Sequence, residues 1–69
     1  MRLSARNQIK GTVKDVKKGA TTSHVTVDIG GGNIIMASIT NESVDELGIK
    51  AGGKVTAVIK SSDVMIGID

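Results

Sequence analysis

Hydroxyl and basic side chains lie side by side near both ends of this sequence. Ser4 and Arg6 are close to the N-terminus, and Lys60 is followed by Ser61 near the other end. Arg and Lys form charge-assisted hydrogen bonds to anions, and neighbouring hydroxyls add directed donors. These residue types could bind a tetrahedral oxyanion if they converged. From the residues alone, solvated surface charge is the favoured interpretation, because the sequence does not show convergence.

A further pair of hydroxyls, Thr40 and Ser43, lies where a short helix is predicted to begin. A helix N-terminus presents free backbone N–H groups and partial positive charge to an anion. Thr40 and Ser43 could therefore join an oxyanion site. Simple helix capping explains both residues without any ligand, and it remains the favoured interpretation at this point.

Residues for catalysis or for direct metal binding form no recognisable pattern. With no Cys and a single His, the chain can build neither a disulfide framework nor a zinc site. That residue, His24, alternates with the apolar positions of a predicted strand and is expected to face solvent or an interface. The acids show neither calcium-loop nor carboxylate-pair spacing; they are Asp15, Asp28, Glu42, Asp45, Glu46, Asp63 and Asp69. We therefore predict that the protein is not an enzyme and that no residue ligates a metal directly.

Length and composition predict one small domain, residues 1–69, that needs partners. A chain this short buries only about 60% of its unfolded surface, so its core is marginal. Oligomerisation is the remaining way to stabilise it. The net charge of +2 indicates only a mild preference for anions. The chain shows no signal peptide and no apolar run that could span a membrane, which predicts a soluble cytoplasmic protein.

The hydrophobic pattern predicts an all-β fold. Phe, Trp and Tyr are absent, and the apolar residues are mostly Val and Ile, which favour strands. The first strand loses its alternation near Gly11, as a bulge or bend would cause. The glycines at 30–32 lack a following Lys-Ser/Thr and long helix, so they predict a hairpin turn and not a phosphate loop. The predicted strands are residues 3–16, 24–29, 34–39, 54–60 and 63–68, with a turn at 17–20.

One short helix interrupts these strands. Thr40 is a good N-cap, and Ser43 with Glu46 offers an alternative capping box. Gly48 is expected to end the helix in the left-handed conformation, with Ile49 closing a Schellman motif. A bent first strand and a hairpin of two strands precede this helix, and two further strands follow it. This order predicts a small OB-like barrel of five strands with one short helix.

Several strands have apolar side chains on both faces. This holds for residues 34–39, 55–59 and 64–66. A barrel of this size has only one interior, so the outer apolar residues would be exposed unless another subunit covered them. The pattern predicts a homo-oligomer.

Two sequence motifs resemble those of the molbindin (Mop) family of small molybdate-binding proteins. They are Ser-Ala-Arg-Asn-Gln at residues 4–8 and Lys-Ser-Ser-Asp-Val-Met at residues 60–65. The similarity extends over the whole chain, including Thr-Asn-Glu-Ser at 40–43. What the resemblance implies is an OB-like barrel whose N-terminal strand is exchanged within a dimer, three dimers forming a hexamer.

The resemblance also implies the site residues. Molybdate or tungstate would lie between subunits, with Ser4 and Arg6 from one chain and with Thr40, Ser43, Lys60 and Ser61 from its neighbour. A second class of site would lie near the three-fold axes, at the loop containing Lys18, Gly19 and Ala20. The implied function is storage or buffering of molybdate, with no organic cofactor.

Two alternatives stay open at the level of sequence. An OB-like domain could bind nucleic acid, but such domains stack bases on aromatic side chains, and this chain has none. An inert oligomerisation module is not excluded by any residue. No nucleic-acid or membrane partner is therefore expected, and the predicted partner is a second copy of the chain.

Overall fold

The computed structural model describes all residues, 1–69, and is built around one curled antiparallel sheet. The strand order is β3-β2-β1-β4, so β3 and β4 are the two edges. The strands are β1 (Asn7–Lys18), β2 (Thr22–Gly30), β3 (Asn33–Thr40) and β4 (Lys54–Ile59); the single α-helix, α1 (Asn41–Leu47), separates β3 from β4.

The long strand β1 holds the sheet together because it pairs with both neighbours. Its residues 7–12 pair with β4, and its residues 12–18 pair with β2. The register with β2 shifts between Val13 and Asp15. This β-bulge explains the loss of alternation in the sequence and bends the strand, as bulges do.

Gly11 lies at the crossing of β1 over β2, just before the bulge. A Cβ atom at this position would lie 2.6 Å from Val27 Cγ1 and 2.7 Å from the carbonyl oxygen of Asp28. Any larger residue would push these strands apart. The glycine therefore permits the close approach that lets the sheet curl.

The predicted hairpin and the predicted helix ends are confirmed. Gly30 pairs with Asn33 across a tight turn with positive φ at Gly31 and Gly32, the geometry for which glycine is needed. The Thr40 hydroxyl accepts a hydrogen bond from the Ser43 N–H at 3.1 Å. At the other end, Gly48 has φ 64°, and the Ile49 N–H donates to Val44 O at 3.0 Å in a Schellman motif.

The hydrophobic core is small. Only five of the 69 residues are buried. Four are valines from β1, β2 and α1, namely Val13, Val25, Val27 and Val44. The fifth, Ser23, is the only buried polar residue.

The chain forms four strands and not the five predicted. Residues Ser61–Asp63 make a 3-10 turn, and residues 64–69 after it belong to no strand. From Met65 onward the apolar side chains are almost fully exposed: Met65 is 92% and Ile66 88% accessible. A strand requires a partner as well as a strand-forming sequence, and this segment pairs with neither edge of its own sheet. The predicted exchange of the N-terminal strand remains a prediction, since β1 pairs here with β4 of its own chain.

The apolar outer surfaces expected from the sequence are present. Ile34 and Met36 on β3 are 49% and 65% exposed, and Val58 on β4 is 41% exposed. An open groove of about 490 Å³ separates the two edge strands, and twelve of its thirteen lining residues are hydrophobic. The only α-helix has seven residues, and no helix is long and apolar enough to cross a membrane.

Candidate functional site

The side chains predicted to bind an oxyanion lie at two separate places. One, which we name the α1 end, contains Thr40 and Ser43 together with the loop of residues 18–20. The other, the β4 end, contains Arg6 and Lys60 with Ser4 and Ser61.

At the α1 end, Thr40 and Ser43 are bonded to each other. The Thr40 hydroxyl accepts from the Ser43 N–H at 3.1 Å and donates to Ser43 Oγ at 2.9 Å. Each hydroxyl oxygen therefore already accepts one hydrogen bond, and the hydrogen of the Ser43 hydroxyl remains free to donate. The pair both caps the helix and leaves a donor for an anion, so the capping and ligand interpretations do not compete.

The loop beside this pair is held against α1. Lys18 Nζ lies 2.9 Å from Asp45 Oδ1, the only ion pair in the chain. The Asn41 side chain donates to the carbonyl oxygens of Gly19 and Ala20 at 3.1 and 3.4 Å. The charge of Lys18 is thus partly neutralised by the protein itself.

At the β4 end, the register of the sheet brings Arg6 next to Lys60. Asn7 pairs with Ile59, and its Nδ2 donates to the Ile59 carbonyl oxygen at 3.1 Å. Arg6 and Lys60 are the next residues beyond this last pair of an antiparallel ladder. Both are exposed and neither forms an ion pair, so their positive charges are available.

Ser4 and Ser61 flank these two cations. Ser61 begins the 3-10 turn that follows Lys60, and the Asp63 N–H donates to the Lys60 carbonyl oxygen at 2.9 Å. Ser4 lies in the exposed segment before β1. Neither hydroxyl makes a hydrogen bond within the chain, which leaves both free to donate.

The structure does not bring the two ends together. Lys18 closes β1 at the α1 end and Asn7 opens it at the β4 end, so the twelve residues of the strand separate them. Thr40 pairs with Thr22, the first residue of β2, beside Lys18. The resemblance implies that Ser4 and Arg6 come from one chain and that Thr40, Ser43, Lys60 and Ser61 come from its neighbour, and this allocation stays a prediction.

Two residues at the α1 end received no role from the sequence. Asn41 bonds to residues about twenty positions away, and His24 lies opposite Lys17 in the β1–β2 ladder. His24 lines a shallow polar depression of about 230 Å³ with Lys17, Lys18, Gly19 and Thr22. No local pattern indicates either placement, since both depend on strand register. No cluster of three His, Cys, Asp or Glu side chains could hold a metal ion.

Comparison with known proteins is consistent with the two sequence motifs. Residues 3–66 match the TOBE domain. The chain is 56% identical over 66 residues to molybdenum-pterin-binding protein 1 of Clostridium pasteurianum, and this alignment covers 96% of the chain and 97% of that protein.

Two solved structures have the same fold at clear sequence identity. A molybdate-binding protein from Sporomusa ovata matches with a TM-score of 0.92 at 34% identity, over 99% of this chain and all of that one. ModG, a cytoplasmic molybdate-binding protein solved with molybdate bound, gives 0.95 at 46% identity, over 100% of this chain and 49% of that chain. The chain therefore belongs to the TOBE-domain family and, within it, to the molbindin (Mop) proteins whose motifs it carries.

Proposed function

We propose that this protein binds molybdate reversibly at contacts between copies of itself and performs no chemistry on it. The observation that carries the proposal is the near-full-length identity to proteins named for molybdenum or molybdate binding. Hydrogen-bond donors without partners at both the α1 end and the β4 end support it. Tungstate, which has the same charge and tetrahedral shape, would bind in the same way. Storage or buffering of molybdate in the cytoplasm is the role that such binding would serve.

The site that we propose contains the β4 end of one chain and the α1 end of another. Arg6, Lys60, Ser4 and Ser61 would supply charge and two hydroxyl donors, and Ser43 would supply a hydroxyl held in place by Thr40. Charge-assisted hydrogen bonds of this kind are about twice as strong as neutral ones. Exclusion of water at the interface would strengthen each of them further.

The assembly that we propose is a homo-oligomer, with a hexamer formed from three dimers as the specific expectation. A core of five buried residues is small even for 69 residues. The groove between β3 and β4 and the exposed apolar tail after Asp63 both offer surface that a second copy could cover. Covering this surface would supply the stabilisation that one chain lacks.

The donors also suggest which anions the site would reject. The oxygens of Thr40 and Ser43 already accept one hydrogen bond each within the cap, and Arg6 and Lys60 have no acceptor atoms. Hydrogen phosphate carries a proton that Arg6 and Lys60 cannot accept; where Ser4 and Ser61 turn their hydroxyl hydrogens toward the anion, this proton lacks a partner, which costs about 1–3 kcal/mol. Sulfate has no proton, so only the size of the site could discriminate against it.

The names of some relatives refer to a molybdenum-pterin and not to the free oxyanion, which makes pterin binding the second candidate. The apolar groove between β3 and β4 is poorly suited to a pterin. Its lining has a single polar residue, Thr56, and no aromatic side chain. A pterin ring carries many hydrogen-bonding groups that such a groove would leave unpaired.

Isothermal titration calorimetry of the purified oligomer tests the proposal. Sodium molybdate and sodium tungstate should bind tightly, sodium sulfate more weakly, and phosphate at neutral pH hardly at all. A molybdenum-free pterin should give no heat of binding. No binding of molybdate would refute the proposed function, and equal binding of phosphate would refute the donor-only site.

A further inference from the structure

The segment after the 3-10 turn, residues 64–69, has the side chains of a strand but no partner in its own chain; we name it the C-terminal tail. Val64, Ile66 and Ile68 are β-branched, a property that favours strands, and they share one face of an extended segment. All three side chains are exposed. The backbone of residues 65–69 makes no hydrogen bond within the chain. The C-terminal tail is therefore a strand-forming segment without a sheet.

The groove between β3 and β4 has the opposite deficiency, because it lacks a strand. Each of these edge strands pairs on one side only, β3 with β2 and β4 with β1. The other edge of each strand has backbone N–H and C=O groups without strand partners. Both strands also line the groove with half-buried apolar side chains at every second residue, which are Ile35, Ala37 and Ile39 on β3 and Val55, Ala57 and Ile59 on β4. The groove thus offers both backbone and side-chain partners to one added strand.

The C-terminal tail and the groove match in length, in chemistry and in number. The tail has six residues, as β4 has. No charged residue lines the groove, and the only charged side chain of the tail is its last, Asp69. The three β-branched side chains of the tail recur at every second residue, as the apolar side chains along each edge do. Each chain carries one tail and one groove.

The C-terminal tail does not fill the groove of its own chain. None of the residues that line the groove comes from residues 60–69. The strand β1 already has two partners in its own chain, β2 and β4. The occupant that remains for the groove is the tail of a second copy.

We propose that the C-terminal tail of one copy adds to the groove of a second copy as its fifth strand, and that the second copy returns its own tail in the same way. Reciprocal exchange leaves neither a free tail nor an open groove, so it produces a closed two-fold dimer. Backbone hydrogen bonds to the sheet edges give affinity, and the side chains of Val64, Ile66 and Ile68 set the register. The inference rests on the homo-oligomer of the proposed function and names the segment that forms it.

Two neighbouring residues of the tail provide matched variants. Ile66→Lys places an unpaired charge among the apolar side chains of the groove, and it should weaken the dimer roughly a hundredfold or more. Met65→Lys makes the same change on a side chain that points to the opposite face of the tail, and it should change the dimer dissociation constant by no more than about threefold. Within one chain these side chains are 88% and 92% exposed, so neither variant should disturb the fold of the single chain. Sedimentation equilibrium measures both constants.

Disulfide cross-linking shows directly which chain supplies the strand. The chain has no Cys of its own, so two single-Cys variants, Ile66→Cys and Ala37→Cys, can be refolded together in equal amounts and oxidised. These positions are the middle inward-facing residues of the tail and of β3. Facing Cβ atoms of paired strands lie about 4.5–5.5 Å apart, close to what a disulfide requires. A covalent dimer joining residues 66 and 37 should form in high yield, and Met65→Cys with Ala37→Cys should form far less.

The outcomes distinguish this inference from the proposed function. Equal dissociation constants for the two Lys variants, or equal yields for the two Cys mixtures, would overturn the exchanged tail. Ring closure within one chain of the double variant Ala37→Cys/Ile66→Cys, without covalent dimers, would assign the groove to the chain's own tail and also overturn it. Molybdate binding by calorimetry without a link between residues 66 and 37 would leave the function standing. The link without molybdate binding would support the exchanged tail and refute the function.

Discussion

The two ends of this molecule carry similar residue types in opposite states. At the α1 end, Thr40 and Ser43 bond to each other, and Lys18 is paired with Asp45. At the β4 end, Arg6 and Lys60 have no partner at all. One end therefore offers donors in fixed positions, and the other offers exposed, unpaired positive charge.

The difference suggests how such a small protein can bind a small anion. A fixed donor loses little freedom when a ligand arrives, whereas each long basic side chain loses about 0.5–1.5 kcal/mol of conformational freedom. The cations compensate because their hydrogen bonds to an anion are the stronger ones. In the proposed site, joining the α1 end of one chain to the β4 end of another would combine geometry with charge and would link binding to assembly.

The largest expected loss of molybdate affinity follows from substitutions at the β4 end. Arg6→Ala and Lys60→Ala should each reduce molybdate affinity by roughly tenfold to a hundredfold, as for loss of a hydrogen bond to a charged group. Lys14→Ala is the control, because Lys14 is an exposed cation in the middle of β1. Calorimetry measures all three, and an equal loss in the control would show that net charge alone drives binding.

A change in β1, the strand that runs from the β4 end to the α1 end, should affect both ends. Gly11→Ala brings a Cβ to within 2.6 Å of Val27 Cγ1 and 2.7 Å of the Asp28 backbone. We expect a loss of about 1–3 kcal/mol in the free energy of unfolding, the usual cost of overpacking. Urea unfolding measures this loss. The neighbouring exposed residue supplies the control, Lys10→Ala, and equal stability of the two variants would contradict the close approach.

The smallest effect concerns the one cation that already has a partner. Asp45→Asn removes the partner of Lys18, and an exposed ion pair of this kind contributes about 0.2–1 kcal/mol. Freed from Asp45, Lys18 should strengthen molybdate binding at the loop by about twofold to fivefold. Glu46→Gln makes the same charge change on the same helix without breaking an ion pair. Equal gains in both variants, measured by titration, would assign the effect to net charge.

The parts of the fold that the sequence predicts depend on near neighbours. Thr40, Gly48 and Ile49 act within a few residues of the helix, so α1 and both its ends follow from capping chemistry. The Gly31-Gly32 turn is predictable for the same reason. In contrast, residues 64–68 have the apolar, β-branched composition of a strand but form none, because pairing depends on an edge elsewhere in the sheet.

The candidate site, like the fold, has one part that the sequence predicts and another that depends on distant pairing. The residue types at both ends are visible in the sequence, and the family resemblance implies a tetrahedral oxyanion as their ligand. Which residues share an end is a long-range property: Arg6 adjoins Lys60 only through the β1–β4 register. The Asn41 side chain donates to carbonyl oxygens 22 and 21 residues away in the chain, which no local motif encodes.

A mixing experiment with one N-terminal variant and one C-terminal variant tests separately whether the N-terminal strand is exchanged between chains. Arg6→Ala and Lys60→Ala proteins, unfolded and refolded together, should recover no sites if both residues of a site belong to one chain. Recovery in about a quarter of sites, the random-pairing value for a two-chain site, would instead support exchange of the N-terminal strand.

The central claim is that Lys60 and Ser43 of one site come from different chains. Lys60→Ala and Ser43→Ala proteins should each fail to bind molybdate at a concentration that saturates the unmodified oligomer. Refolded together in equal amounts, they should regain about a quarter of the sites, because that fraction of random pairings joins an intact β4 end to an intact α1 end. Calorimetric titration of the mixture counts these sites. No recovery would mean that both residues of a site lie on the same chain, which would contradict the account.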